Sequence, residues 1–325
     1  MKSSSSRIKV YLLTGFLGAG KTTVLNRFLE VKGDENNMVI ENEFGKVSID
    51  AHLVSSRYDS LFELNNGCIC CSLDGELTEV LASIIRSDLK PDNLFIEASG
   101  VADPGGLAAL FTHEETSLFF DLQQIICVAD ASCVEDWMEE IPEINRQLAA
   151  ADVIVINKKS SVTADYLLSL TGLLRSINGL AEIIPVDQGH LGRDVFSSKR
   201  TQWIPKEQSQ GEVIPSEHPL KSLLLEISSP FNKEMLLNQL TMVLFLSYHQ
   251  IYRIKGLVWC HDEERPFIIQ THGKQINISP YADEKTPEYH ASQLVVIGKG
   301  LQRTSLEKIF KRALSPKWIS TSGSS

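Results

Sequence analysis

Apolar residues in the first part of the chain follow two patterns that alternate. Short continuous runs, such as Val10-Tyr11-Leu12-Leu13, Leu94-Phe95-Ile96 and Val153-Ile154-Val155-Ile156, are separated by longer segments whose apolar positions recur every three or four residues. The runs predict strands at 9–13, 38–40, 61–64, 93–96, 124–128, 153–156 and 182–185. The periodic segments predict helices at 21–31, 75–86, 132–139, 143–149 and 164–176. A strand that is apolar at every position needs cover on both faces. Its alternation with helices predicts an α/β fold: a doubly wound, mostly parallel sheet that binds ligands at the carboxyl ends of its strands.

Further along the pattern changes. Residues 197–219 are polar and proline-containing, which reads as a linker between a first domain at 1–196 and a second at 220–325. In the second, the segments 220–227, 232–246, 251–260, 267–271, 293–298 and 304–314 predict a smaller α+β domain with an antiparallel sheet. There is no internal repeat.

One stretch gives this scaffold a chemistry. Gly15-Phe16-Leu17-Gly18-Ala19-Gly20-Lys21-Thr22-Thr23 fits G-x-x-x-x-G-K-[ST] and lies between the first predicted strand and the first predicted helix, the context the motif requires. The glycines let successive backbone N–H groups converge, and the helix dipole adds partial positive charge at the same point. The chain therefore carries a P-loop NTPase phosphate site. In that reading Lys21 reaches the β- and γ-phosphates and Thr22 holds Mg²⁺.

Charge and composition narrow the partners. With a net charge of −10 and a pI near 5.4, nucleic acid is not expected as a partner. No apolar run approaches the ~18–20 residues that span a bilayer, so no membrane partner is expected. The Ser-rich head leads straight into the first strand and does not read as a secretory signal. Of six cysteines, three are bunched at Cys68, Cys70 and Cys71, which favours metal or redox chemistry in a reducing cytoplasm over a disulfide framework. Cys127, Cys133 and Cys260 are isolated and read as core residues.

Three further segments fall where a P-loop enzyme keeps its working parts. A predicted strand delivers Glu97, with Gly100 three residues on. This suits a carboxylate that orders water on Mg²⁺ and a backbone N–H that meets the γ-phosphate. Residues 41–50, beginning Glu41-Asn42-Glu43-Phe44-Gly45-Lys46, sit where a nucleotide-sensing loop would lie; a surface loop of solvated charges is the other reading. The Cys68-Ile69-Cys70-Cys71 stretch offers three thiolates, which bind Zn²⁺ and similar ions strongly and leave a tetrahedral ion one ligand short. Three small buried hydrophobes or a redox dithiol are the alternatives there.

Taken together and in this order, GFLGAGKTT, ENEFGKVSID, NGCICC and IEASGVADP resemble the CobW-type GTPases, relatives of the UreG and HypB nickel-insertion GTPases, and more closely their YjiA-like branch. The resemblance covers most of the chain, including Tyr252-Arg253-Ile254-Lys255-Gly256 and Leu294-Val295-Val296-Ile297-Gly298 of the small second domain. It implies a slow GTPase that couples GTP and GDP to binding of Zn²⁺ or another transition metal and hands that metal to a client protein. By the same resemblance Cys68, Cys70 and Cys71 are metal thiolates, Glu41 an additional ligand and His113 the candidate imidazole.

The chain departs from the family pattern at two positions. The guanine-reading motif Asn-Lys-x-Asp appears here as Asn157-Lys158-Lys159-Ser160. Asn157 and Lys158 can still contact base and ribose, but the carboxylate that pairs with guanine N1–H and the 2-amino group is missing. Losing it costs on the order of 1–3 kcal/mol, so GTP-over-ATP discrimination is expected to be shallow. Lys46 stands where relatives carry Glu. No Gln follows Gly100 to orient a water. A non-catalytic metal-sensing adaptor and a small-molecule kinase are the rival readings, although no Arg-rich lid marks the second.

Overall fold

The computed structural model describes residues 7–41, 61–63, 73–87, 90–192, 195, 219–247, 249–281 and 291–315. The chain divides into two compact units, Met1–Thr171 with Ala181–Arg200, and Gly172–Leu180 with Thr201–Ser325.

In the first unit, β1 (Ile8–Thr14), β2 (Asn37–Glu41), β3 (Leu61–Glu63), β4 (Asn93–Glu97), β5 (Phe120–Asp130), β6 (Val153–Asn157) and β7 (Glu182–Pro185) form one sheet in the order β3-β2-β4-β1-β5-β6-β7. Every neighbouring pair is parallel. The connecting helices are α1 (Lys21–Val31), α2 (Leu73–Arg86), α3 (Pro104–Thr112), α4 (Glu114–Ser117), α5 (Val134–Glu140), α6 (Pro142–Ala150) and α7 (Ala164–Ile177), the last of which is counted with the second unit from Gly172 on. Successive residues of β1 feed opposite cores. Val10 and Leu12 join Leu77 and Leu81 of α2 and Phe111 of α3, while Tyr11 and Leu13 join Val24, Leu25 and Phe28 of α1. Where both faces are buried no polar position alternates, which is why the strand is apolar without a break from Val10 to Leu13.

Several elements differ from the sequence expectation; α4 here and β11 (Gln275–Pro280) of the second unit have no predicted counterpart, and two others show why. Strand β5 begins at Phe120, four residues before the predicted start. Val10 faces Leu122 but Tyr11 faces Gln124, so Gln123 is an extra, bulged residue that interrupts the alternation. Helix α3 has no counterpart in the sequence expectation, and Pro104-Gly105-Gly106 has poor helix propensity. It forms because Pro104 occupies the first turn, the Asp103 side chain accepts from the Gly105 N–H at 2.9 Å, and Ala108 and Phe111 are buried beneath it.

In the second unit, β8 (Leu220–Ile227), β9 (Ile251–Val258), β10 (Phe267–His272), β11 (Gln275–Pro280) and β12 (Ser292–Lys299) form an antiparallel sheet in the order β11-β10-β9-β12-β8. One face packs on α8 (Lys233–Leu246) and α9 (Arg303–Lys311) through Leu236, Leu240, Ile254, Leu294 and Phe310. Asn232 caps α8 by accepting from the Met235 N–H at 2.9 Å. Apart from Pro219, the expected linker lies outside the described residues. Among those residues no helix is long and apolar enough to cross a membrane.

Candidate functional site

In this parallel sheet β1 sends the chain toward β2 on one side, while β5 leads toward β6 on the other. The crevice at the carboxyl ends of β1 and β5 is therefore the topological switch point. The glycine loop leaves β1 at this point and closes on α1. Gly20 is the residue before the helix, in left-handed backbone at φ 95°, and no side chain caps the first turn. A Cβ on it would stand 2.4 Å from the Asn157 amide nitrogen, so only glycine fits. The Lys21 ammonium is buried and folds back over the loop to donate to the Phe16 carbonyl at 3.4 Å.

The Thr22 hydroxyl donates to Glu97 Oε1 at 3.2 Å. This contact follows from the sheet, since Leu13 at the end of β1 is in register with Glu97 at the end of β4. The chain beyond Glu97 passes so close to the glycine loop that a Cβ on Gly100 would lie 2.8 Å from the Leu17 nitrogen. Gln147 of α6 pins this crossing from behind, donating to the Gly100 carbonyl at 3.0 Å and the Ala102 carbonyl at 3.3 Å. Sequence reasoning did not find Gln147, which looks like one more polar residue on a short helix. Its near-zero exposure is a tertiary fact.

At the other end of the glycine loop, both halves of the Asn157 amide are engaged by the protein. Its nitrogen donates to the Ala19 carbonyl at 3.0 Å, and its oxygen accepts from the Gly189 N–H at 3.2 Å. Lys158, in left-handed backbone at φ 58°, donates to the Gly18 carbonyl at 2.9 Å and to Asp130 Oδ2 at 2.6 Å. Asp130 ends β5 and was not singled out in the sequence. Burial works against its charge, but hydrogen bonds from Lys158 and Ser132 prevail and hold its carboxyl below the usual range.

Glu41 is buried at the end of β2, in register with Glu97 of β4 and with Glu63 of β3. The structure does not bring His113 to it. His113 is exposed where α3 passes into α4, and its carbonyl accepts from the Ser117 N–H. Close by, the Phe119 carbonyl takes the Ile8 N–H at the amino end of β1, opposite the end where Glu41 lies. Cys68, Cys70 and Cys71, with Lys46 and the rest of 42–50, lie outside the described residues. Among the described residues no three His, Cys, Asp or Glu side chains converge as a metal site. Cys127 and Cys260 are buried, and burial pushes their thiols up to about 12 and about 11, so neither is a thiolate. Cys133 is half-buried rather than in the core.

The sequence profile described as "CobW/HypB/UreG, nucleotide-binding domain" matches residues 9–185, and that of the "Cobalamin synthesis protein cobW C-terminal domain" matches 220–314. The chain is 30% identical over 318 residues to the zinc chaperone YjiA of Escherichia coli, covering 93% of this chain and 98% of the relative. It is 26% identical over 352 residues to the zinc-regulated GTPase metalloprotein activator 1 of Schizosaccharomyces pombe, covering 93% and 85% respectively. Among solved structures, a Zn(II)-bound triple mutant of the YjiA GTPase superposes with a TM-score of 0.67 at 26% identity, over 96% of this chain and all of that one.

Proposed function

The chain belongs to the CobW/HypB/UreG family, and on that basis we propose that it is a GTPase that couples its nucleotide state to carrying a transition metal, Zn²⁺ foremost. One observation carries this reading. Glu97, paired with Thr22 of the glycine loop, and Glu41 are immediate neighbours in register across β4 and β2. Neighbouring strands lie about 4.8 Å apart, so a carboxylate at the nucleotide adjoins a carboxylate available to the cargo ion.

For hydrolysis, the first-turn N–H groups of α1 and the Lys21 ammonium hold the β- and γ-phosphates. Water adds to the γ-phosphorus as the bond to the bridging oxygen breaks, yielding GDP and inorganic phosphate. Thr22 and Glu97 present two hard oxygen donors 3.2 Å apart, a set that suits Mg²⁺. Mg²⁺ held there would neutralise charge on the phosphate oxygens. Lys21 stabilises the same charge from the protein side, while Gln147 keeps the Gly100 crossing close to the loop. Residue 101 is Val rather than a water-orienting Gln, which fits slow turnover.

For the cargo, Cys68, Cys70 and Cys71 supply thiolates suited to Zn²⁺, and Glu41 supplies the carboxylate that nucleotide can engage or release. His113, at the far end of the sheet, is left out of this set. The setting is the cytoplasm, where thiols stay reduced, and the receiving partner is a client metalloprotein.

The test measures Zn²⁺ affinity by competition with a chromogenic chelator in the GTP-analogue and GDP forms. The two forms should differ by about 5- to 150-fold, the usual range of allosteric coupling. The double substitution Cys70→Ser/Cys71→Ser should abolish that difference while GDP still binds. Equal Zn²⁺ affinity in both nucleotide forms would remove the coupling.

A further inference from the structure

Position 160 carries a serine where a base-reading carboxylate is expected, yet a carboxylate stands against it. Asp187 follows β7, the strand beside β6, and the turns beyond these two strands are laced together. Lys159 N–H donates to the Val186 carbonyl at 3.1 Å, Ser160 N–H to Asp187 Oδ1 at 2.9 Å, and Gly189 N–H to Asn157 Oδ1 at 3.2 Å. Each turn includes a non-glycine residue in left-handed backbone, Lys158 at φ 58° and Gln188 at φ 49°. Such conformations persist only where surrounding contacts enforce them. Asp187 is half-buried and remains reachable by a ligand. Its carboxyl is held below the usual range, first by the Ser160 backbone N–H, with the Ser160 side chain, Lys159 and His190 adding to it against the effect of burial.

We infer that Asp187 supplies the carboxylate that reads the guanine base in this protein, taking over the task that position 160 cannot perform. The inference rests on the guanine-nucleotide reading above and names the residue that gives it base specificity. Guanine presents two donors side by side, N1–H and the 2-amino group, and a carboxylate presents two acceptor oxygens at matching spacing. Adenine offers an acceptor at N1 and no 2-amino group, so it cannot make the pair. A carboxylate has about four lone-pair sites, so the bond from Ser160 orients Asp187 without exhausting it. Ser160 is then the positioning residue, and an aspartate there would place a second negative charge against Asp187.

The rival role for Asp187 is a staple that merely shapes the 157–160 turn, and a staple would serve every nucleotide alike. The experiment measures Kd values of the full-length chain for GDP, ADP, inosine diphosphate and xanthosine diphosphate. Wild type should prefer GDP over ADP by tenfold or more and GDP over inosine diphosphate by roughly tenfold, the weight of a buried hydrogen bond to a charged group. Asp187→Asn should lower GDP affinity tenfold or more and leave ADP within about twofold. It should also gain xanthosine diphosphate, whose 2-oxo group accepts from the new amide. Ser160→Asp should weaken the guanine preference.

The inference is overturned if Asp187→Asn keeps the GDP-to-ADP ratio, or lowers both affinities equally. It is also overturned if wild type binds GDP no better than inosine diphosphate, a measurement that stands even where the variant fails to fold. Failure of the underlying nucleotide reading looks different: GDP and ADP would bind in a Lys21→Ala variant as well as in wild type.

Discussion

The two ends of the nucleotide crevice are built in opposite ways. The phosphate end is a contiguous stretch whose working groups are backbone N–H groups, one lysine and one hydroxyl, supported from β4 by Glu97. The base end keeps only an incomplete contiguous motif, Asn157-Lys158-Lys159-Ser160. It is two turns, after β6 and β7, tied through Asn157, Ser160 and Asp187. A site made of backbone tolerates few sequences, because glycine alone adopts its conformations at those close approaches. A site made of side chains from two turns can move its key group from one turn to the other, provided the group ends in the same place.

The largest expected effect isolates the phosphate end. Lys21→Ala should lower phosphate release by at least about a hundredfold, the usual cost of removing one preorganised transition-state donor. The fold should persist, as judged by an unchanged circular dichroism spectrum. Wild-type turnover in a contaminant-free preparation would mean that the glycine loop does not carry the chemistry.

An intermediate effect is expected where the two ends meet. Asn157 is buried and bonds both Ala19 of the glycine loop and Gly189 of the second turn. Asn157→Ala leaves two backbone groups without these partners and should destabilise the protein by about 1–3 kcal/mol in urea unfolding. It should also weaken GDP and ADP by the same factor, in contrast to Asp187→Asn. A base-selective loss from Asn157→Ala would make the comparison less sharp.

The smallest effect concerns Asp130. Its folded-state pKa lies below the ordinary 3.8, so its contribution to stability is fully present above that value and is lost as pH falls through the depressed one. Asp130→Asn removes this dependence. Thermal melts taken from pH 7 down to about pH 3 should show a shallower acid decline for the variant than for wild type. An identical acid limb would show that the Lys158 bond contributes no net stability.

Helix α3 and the bulge at Gln123 show what local reading overlooks. The glycines of α3 argue against a helix, and the Asp103 cap, Pro104 in the first turn and burial of Ala108 and Phe111 together outweigh them. The bulge shifts the register of β5 against β1, so its first residues lack a continuous apolar run. Gln147 and Asp130 escaped notice for a related reason. Nothing in their neighbouring residues distinguishes a polar side chain that reaches into the site from one that faces water.

By itself, the sequence determined the alternating strands and helices, the parallel sheet and the glycine loop. Each depends on residues close together in the chain, whose spacing dictates which backbone groups converge and which faces are apolar. It also exposed the gap at Ser160. Only the tertiary structure decided which carboxylate stands against that gap and where the two candidate ligands stand. Ser160 and Asp187 are 27 residues apart, and they meet because β7 pairs with β6. Glu41 adjoins Glu97 because β2 pairs with β4, whereas His113 is carried to the opposite end of the sheet by α3. Strand pairing brings distant residues together according to the order of the sheet, and no local pattern of spacing encodes that order.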